Sequence, residues 1–217
     1  MDLEFRELRK EDYDQIKKII NETWNFDSFS DHSGQVRNAL EIYLRNCLLQ
    51  QNYSRVALDK GVPVGLILGR INRDFKPLKQ IPHLFALIWA GLKFSLRIFA
   101  GKKFIQQARE ERRVYDKLLR ERKRVFDGEV VLFIVSPNER GRGLGKKLIF
   151  EFLDYCREKN LNCIYLFSDT SCNYGFYDSN GFLRTGELTA RDFSKEGSNS
   201  MRVFLYEYHF QKKQENL

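Results

Sequence analysis

The chain has 217 residues, 42% of them hydrophobic and 14% aromatic, enough to bury a core and to exclude wholesale disorder. Its net charge of +8 is local: between Arg97 and Arg124 eleven bases accompany four acids, and the remainder is close to neutral. Cys47, Cys156, Cys163 and Cys172 form no CxxC pair and His32, His83 and His209 are scattered, which argues against a metal site, a catalytic triad or a disulfide framework.

The start, Met1-Asp2-Leu3-Glu4, carries acids where a secretory leader needs bases and an apolar run, so a cytoplasmic protein is expected. Leu3 to Leu8 alternates as a short strand. Lys10 to Trp24 places Ile16, Ile19, Ile20 and Trp24 at helical spacing, and Gln35 to Gln50 does the same with Val36, Leu40, Tyr43, Leu44 and Leu48. The polar stretch Asp27 to Gly34 separates the two helices. Arg55 to Leu58 and Pro63 to Ile71 read as strands joined by a turn at Asp59-Lys60-Gly61.

Asp74 to Gly128 then interrupts the strands. Leu84 to Leu92 is almost wholly apolar and continues amphipathically to Phe99. Phe104, Ala108, Tyr115, Leu118 and Leu119 mark a long basic helix. Val130 to Val135 is a buried strand, Gly143 to Lys159 a helix, and Cys163 to Ser168 another buried strand. Asn173 to Asn180 is a short helix stopped by Gly181, and Leu183 to Thr189 and Met201 to Phe210 close the series. The order implies an α/β fold: a mixed, twisted sheet flanked by helices, with a helical insertion between the third and fourth strands. One domain over residues 1–217 is expected, with the basic insertion at 74–128 inside it.

The segment after Val130 to Val135 carries the chemistry. Arg140-Gly141-Arg142-Gly143-Leu144-Gly145-Lys146 opens a helix, so free N–H groups and the positive end of the helix dipole meet a glycine-rich turn. That makes an anion site suited to a phosphate or pyrophosphate. A Walker A loop fails, because Arg140 and Lys147 stand where Gly and Ser or Thr are needed. A GxGxxG fingerprint counted from Gly141 fails at Lys146. The pattern R-x-x-G-x-G fits at Arg140, Gly143 and Gly145.

That pattern resembles the first signature of the GNAT superfamily of N-acetyltransferases. Phe176-Tyr177-Asp178-Ser179-Asn180-Gly181-Phe182 resembles its second, F-Y-x-x-x-G-F. Phe5-Arg6-Glu7-Leu8 and Asp12-Tyr13-Asp14-Gln15-Ile16 are similar to its usual start. The resemblance covers about Leu3 to Phe210 apart from the insertion, where typical relatives have only a short turn.

The resemblance implies a GNAT fold and acetyl-CoA as co-substrate, with no metal. It places the pantetheine arm along Phe133, Ile134 and Val135, where a backbone N–H would polarise the thioester carbonyl. The pyrophosphate would lie on the amides of Arg140, Gly141, Arg142, Gly143, Leu144, Gly145 and Lys146, so a glycine replacement should hurt more than one of Leu144. Tyr177 matches the tyrosine that protonates the leaving thiolate in many relatives; packing beside the sulfur is the alternative. Glu129 matches the general base of the histone-acetylating branch, or else merely closes a strand end. Asn173 is expected to touch coenzyme A or to cap the following helix.

The expected activity is direct transfer of an acetyl group to a primary amine of a small molecule or protein in a ternary complex. The alternative is a silent coenzyme A sensor or scaffold that meets an acidic partner through the insertion. For the insertion three functional readings stand beside a plain solvated basic face packed on the core. They are a lid over the acceptor, a homodimer interface through Leu87, Ile88, Trp89, Phe94 and Phe99, and a nucleic acid or membrane contact, which is not favoured. Leu84 to Leu92 is too short to span a bilayer, which takes about 20 apolar residues.

Overall fold

The structure, a computed structural model, describes residues 3–30, 32–95, 102–193 and 200–211. Seven strands make one open sheet in the order β1-β2-β3-β4-β5-β7-β6. They are β1 (Leu3–Arg6), β2 (Tyr53–Asp59), β3 (Val62–Ile71), β4 (Gly128–Val135), β5 (Cys163–Asp169), β6 (Leu183–Arg191) and β7 (Ser200–His209). Neighbours are antiparallel except β4 and β5, which run parallel. The helices are α1 (Tyr13–Trp24), α2 (Ser33–Leu49), α3 (Ile81–Ser95), α4 (Lys102–Arg122), α5 (Leu144–Glu158) and α6 (Gly175–Asp178). The mixed sheet with its helical insertion after the third strand is the architecture the periodicities imply. The short helix expected over Asn173 to Asn180 contracts to α6, and Gly181 stops it in the left-handed region at φ 84°.

The sheet carries different helices on its two faces. On one, α5 lays Leu148, Ile149, Phe152 and Leu153 over Ile67, Ile71, Ile164 and Leu166, all fully or nearly buried. Truncating Phe152 to alanine there would cost about 3–5 kcal/mol by the usual scale for core aromatics. On the other face, α1 and α2 cover β2 to β4 through Ile16, Ile20, Leu44 and Leu48 against Leu66, Leu68 and Ile134. The same face over β5, β7 and β6 is covered by the insertion helix α4, with Val114 and Leu118 on Tyr165, Val203 and Leu205. This face therefore has two separate roofs, α1/α2 and α4, with the β4–β5 line running between them.

Strands β4 and β5 pair at only two positions, Gly128 with Ile164 and Glu129 with Tyr165. Asp127 pins this closed end: its N–H donates to the Cys163 carbonyl (2.9 Å), and its carboxylate accepts from the N–H of Asn162 (2.6 Å) and Cys163 (3.1 Å). Just beyond, β4 pairs Val130 with Gly69 and Leu132 with Leu68, so Val131 is an extra, bulged residue. The bulge puts both Val131 and Leu132 on the α1/α2 face and sends Val130, Phe133 and Val135 to the α5 face. Bulges bend and twist a strand, and from here β4 and β5 part as a wedge.

The insertion leaves α4 with a solvated basic side: Arg109, Arg112, Arg113, Lys117 and Arg120 are all exposed. Helix α3 packs on α2 and leaves Leu84, Phe85, Ile88 and Trp89 exposed, with Leu87 half-buried. Phe99 and the side chain of Phe94 lie outside the described residues, as does Arg97. No helix among the described residues is long and apolar enough to cross a membrane.

Candidate functional site

The mouth of the wedge on the α5 side is built from backbone. Ser136 follows β4 and is held by its N–H on the Val64 carbonyl (2.8 Å), and a 3-10 turn at Pro137–Glu139 delivers the chain to the glycines. Gly141 and Gly143 sit at φ 76° and 78° with open space where a Cβ would be. Both therefore need glycine for conformation. Gly145 is needed for proximity: its Cβ would meet Phe133 Cζ at 3.3 Å, Val135 Cγ2 at 3.6 Å and Phe176 Cε2 at 3.7 Å. No side chain caps α5, whose N-cap is Gly143, so the N–H groups of its first turn face outward unpaired among the described residues.

Around this turn Arg140, Arg142 and Lys146 are exposed. Arg140 Nε donates weakly to the Val135 carbonyl (3.4 Å), Arg142 pairs with Glu139 (2.6 Å), and Lys146 lies over the Phe150 ring. Leu144 is 3% exposed and Ile134 also 3%, so their side chains belong to the core. Only their backbone is free to meet a ligand. Leu144 is therefore less expendable than a pure amide-donor role suggests.

Tyr177 stands on α6, its ring between Phe133 (6.4 Å), Phe182 (5.6 Å) and Tyr206 (5.3 Å). Its hydroxyl has no hydrogen-bond partner among the described residues. Burial, reinforced by Cys172 and Asp169 nearby, pushes the phenol well above its ordinary range, so it keeps its proton. Asn173 is exposed and caps nothing: the N-cap of α6 is Tyr174, and no side chain bonds there. The capping alternative for Asn173 is thus corrected, because the helix begins two residues later. On β5, Ser168 shares the α5 face, and its buried Oγ has no partner among the described residues.

Glu129 occupies the closed end of the wedge, on the face roofed by α1/α2 and α4. Both oxygens are engaged: Oε1 pairs with Arg70 (3.1 Å) and Oε2 accepts from the Tyr165 hydroxyl. Burial, then the neighbouring Glu129 charge, raises the Tyr165 phenol strongly.

Between the two roofs stand half-buried aromatics. Trp24 and Tyr43 pack together at 5.7 Å on the α1/α2 side. Opposite them Tyr115 of α4 stacks on Phe167 of β5 at 4.0 Å and 4°. Phe104, at the start of α4, reaches Phe26 and Phe29. Cys172, after β5, faces the Trp24 indole. Glu111 of α4 projects among these groups. Gln107, Glu111, Val114 and Leu118 lie along one stripe of the helix, at spacings of four, three and four. An acid on an otherwise inward-facing stripe was the available sequence signal for Glu111, Gln107 and Tyr115, which motif spacing does not find. Arg70, Tyr165 and Ser168 left no such signal.

The histidines are not all scattered. His209 Nε2 lies 3.0 Å from Glu207 Oε2 and 3.8 Å from Cys163 Sγ, because β5 and β7 pair Cys163 with His209. Forty-six residues of chain separation hid this cluster. Arg124 already supplies its positive charge, with Nη1 2.8 Å from Glu207 Oε2. All four cysteines are free thiols, and burial pushes Cys47 and Cys156 up to about 12.

Residues 103–182, which contain both glycine and tyrosine motifs, match the Acetyltransferase (GNAT) family. No curated protein matches the chain. Among solved structures it is similar to PH1933 of Pyrococcus horikoshii (16% identity, TM-score 0.59, covering 97% of this chain and 100% of that one). It is also similar to the PaiA N-acetyltransferase of Thermoplasma acidophilum in complex with coenzyme A (15%, 0.51, 97% and 100%). A third is the ribosomal-protein-S18-alanine N-acetyltransferase of Escherichia coli (11%, 0.53, 99% and 98%). At these identities the structural likeness is one of fold. The chain thus has the GNAT fold and, over residues 103–182, the sequence character of a family of acetyltransferases.

Proposed function

We propose, from the GNAT fold and family match, that this chain is an acetyl-CoA-dependent N-acetyltransferase acting on a primary amine by direct attack in a ternary complex. The observation that carries this is the β4–β5 wedge, whose strands pair at Gly128 and Glu129 and then part. A glycine-built anion cradle stands at its α5 mouth and an aromatic cluster lies on the other side.

Acetyl-CoA supplies an acyl group activated as a thioester. The pyrophosphate would rest on the amides between Gly141 and Lys146. The pantetheine arm would pair with the edge of Phe133, Ile134 and Val135, which β5 leaves unpaired. A backbone N–H there would polarise the carbonyl. Tyr177, protonated and packed on Phe133, would give its proton to the departing sulfur. Asn173, exposed beside α6, and Ser168, orphaned on β5, are candidate donors to the arm. Glu129, with both oxygens engaged, is best suited to holding Arg70 and Tyr165 at the closed end of the wedge and so positioning the acceptor side. As a base it would use a lone pair that Arg70 and Tyr165 leave over.

The test is thiol release from acetyl-CoA with a panel of alkylamines, arylalkylamines, polyamines and short peptides with free N-termini. Release with at least one class supports the transferase. Tight coenzyme A binding without release from any of them would mark a sensor or scaffold.

A further inference from the structure

Glu129 of β4 and Glu111 of α4 lie on the face roofed by α1/α2 and α4, and their oxygens are used differently. Each oxygen of Glu129 has a partner, Arg70 on one and the Tyr165 hydroxyl on the other. Glu111 has one oxygen bound: Oε1 accepts from Gln107 Nε2 at 2.8 Å, while Oε2 has no partner among the described residues. Gln107 is itself buried, and its Oε1 accepts the Phe193 N–H at 2.9 Å. With its oxygen committed there, the amide presents N–H to Glu111 and holds that carboxylate in place. No lysine or arginine pairs with Glu111 among the described residues.

The surroundings of Glu111 suit a cation that comes from outside. Tyr43 of α2 and Tyr115 of α4 lie within electrostatic reach of it, and Trp24 stands behind Tyr43. Aromatic faces attract ammonium groups. Asp169 and Asp192 add negative charge nearby. Glu111 is half-buried. Cys47 lies within reach of both Glu111 and Glu129, and Cys172 within reach of both Tyr115 and Tyr177. Tyr115, one turn from Glu111, stacks on Phe167 of β5, the strand that borders the wedge.

We infer that Glu111, supplied by the insertion, receives the ammonium of the acceptor and takes its proton, while Trp24, Tyr43 and Tyr115 hold the apolar or aromatic framework that carries it. This rests on the transferase reading and names its acceptor class: primary amines that are cationic in solution and borne on an apolar frame. The ammonium gives one proton to Glu111, and the nitrogen lone pair forms the new bond to the thioester carbon. The carbon–sulfur bond breaks with its electron pair on sulfur, which takes the Tyr177 proton. Tyr177 regains a proton from the amide nitrogen, and Glu111 releases its own to solvent.

Burial, opposed by the Gln107 hydrogen bond and aided by Asp169 and Asp192, pushes the Glu111 carboxyl up to about 7. The other titratable groups facing it are Tyr43 and Cys47 from α2 and Tyr115 from its own helix. Above neutrality it is therefore anionic and able to accept a proton; below, it already holds one.

The decisive experiment compares the full chain with Glu111→Gln, using phenethylamine and hexylamine as acceptors and 2-phenylethanol as the uncharged control. Asp116→Asn, on the outer side of the same helix, controls for surface charge. Glu111→Gln should lower kcat/KM for both amines about 100-fold, within the range for a lost general base, and remove the fall of kcat below about pH 7. Coenzyme A affinity should be unchanged. Transfer within about threefold of the parent, where a general base is worth far more, would overturn the assignment and leave the transferase standing. Should neither amine release thiol, calorimetric titration of phenethylamine into the coenzyme A-loaded protein decides alone. Binding weakened about tenfold by Glu111→Gln, roughly the loss of one charge-assisted contact, supports the cation site; equal binding, or none, overturns it.

Discussion

The two sides of the β4–β5 wedge are made of different material. The α5 side is backbone: three glycines, a helix start without a side-chain cap and an unpaired strand edge. The acceptor side is side chains, drawn from α1, α2, β5 and the insertion helix α4. A backbone site is local in the chain and tolerates few sequences, because left-handed φ values exclude most residues. A side-chain face assembled from distant segments can change one part without disturbing the other. The glycine cradle is thus the constrained half of such a molecule and the side-chain face the adjustable half.

The sharpest way to separate the halves is Tyr177→Phe, which removes a proton and no carbon. Turnover should fall about 100-fold, in the usual range for a lost general acid, while coenzyme A affinity stays within a factor of two. Single-turnover kinetics beside a coenzyme A titration would check it; equal turnover would reduce Tyr177 to packing. Next in size is Gly143→Ala. A Cβ at φ 78° costs about 1–2 kcal/mol, so coenzyme A should bind about tenfold more weakly while the acceptor KM is unmoved. A change in acceptor KM instead would mean that the halves are not separable.

The acceptor side is probed by the pH dependence of stability. The Glu111 carboxyl rises from an ordinary 4.5 to about 7 in the folded chain. Between these values the folded state holds a proton that the unfolded state has released, so stability falls as pH rises through this window and stays lowered above it. Glu111→Gln is neutral throughout. Its Tm should exceed the parent's at pH 8 by a few degrees and match it at pH 4, as melting curves at the two values would show. A variant less stable at pH 8 would mean that an unrecognised cation holds the carboxylate. The smallest effect belongs to Arg142→Ala. Arg142 is exposed and already paired with Glu139, so coenzyme A affinity should drop no more than about threefold, less at high salt. A tenfold loss would show that the cradle works by side-chain charge as well as by amides.

The element order could be read along the chain because apolar periodicity and turn residues are local. All seven strands and the principal helices appear where Ile16, Leu44, Ile67, Leu148 and Phe204 repeat on a face. The glycine cradle was legible for the same reason: φ preference and helix polarity act over a few residues. Three things needed the folded chain. The bulge at Val131 and the two-residue pairing of β4 with β5 depend on sheet register, which no single strand encodes. Helix α4 could be predicted as basic and amphipathic, but only its packing on Val203 and Leu205 brings Glu111 near Tyr43 of α2. Arg70 and Tyr165 close on Glu129 because β3 and β5 flank β4, although 59 and 36 positions separate them from it. The glycine cradle was therefore written into local sequence. The aromatic side of the wedge was not, because it is made by side chains that meet only when distant segments share one face of the sheet.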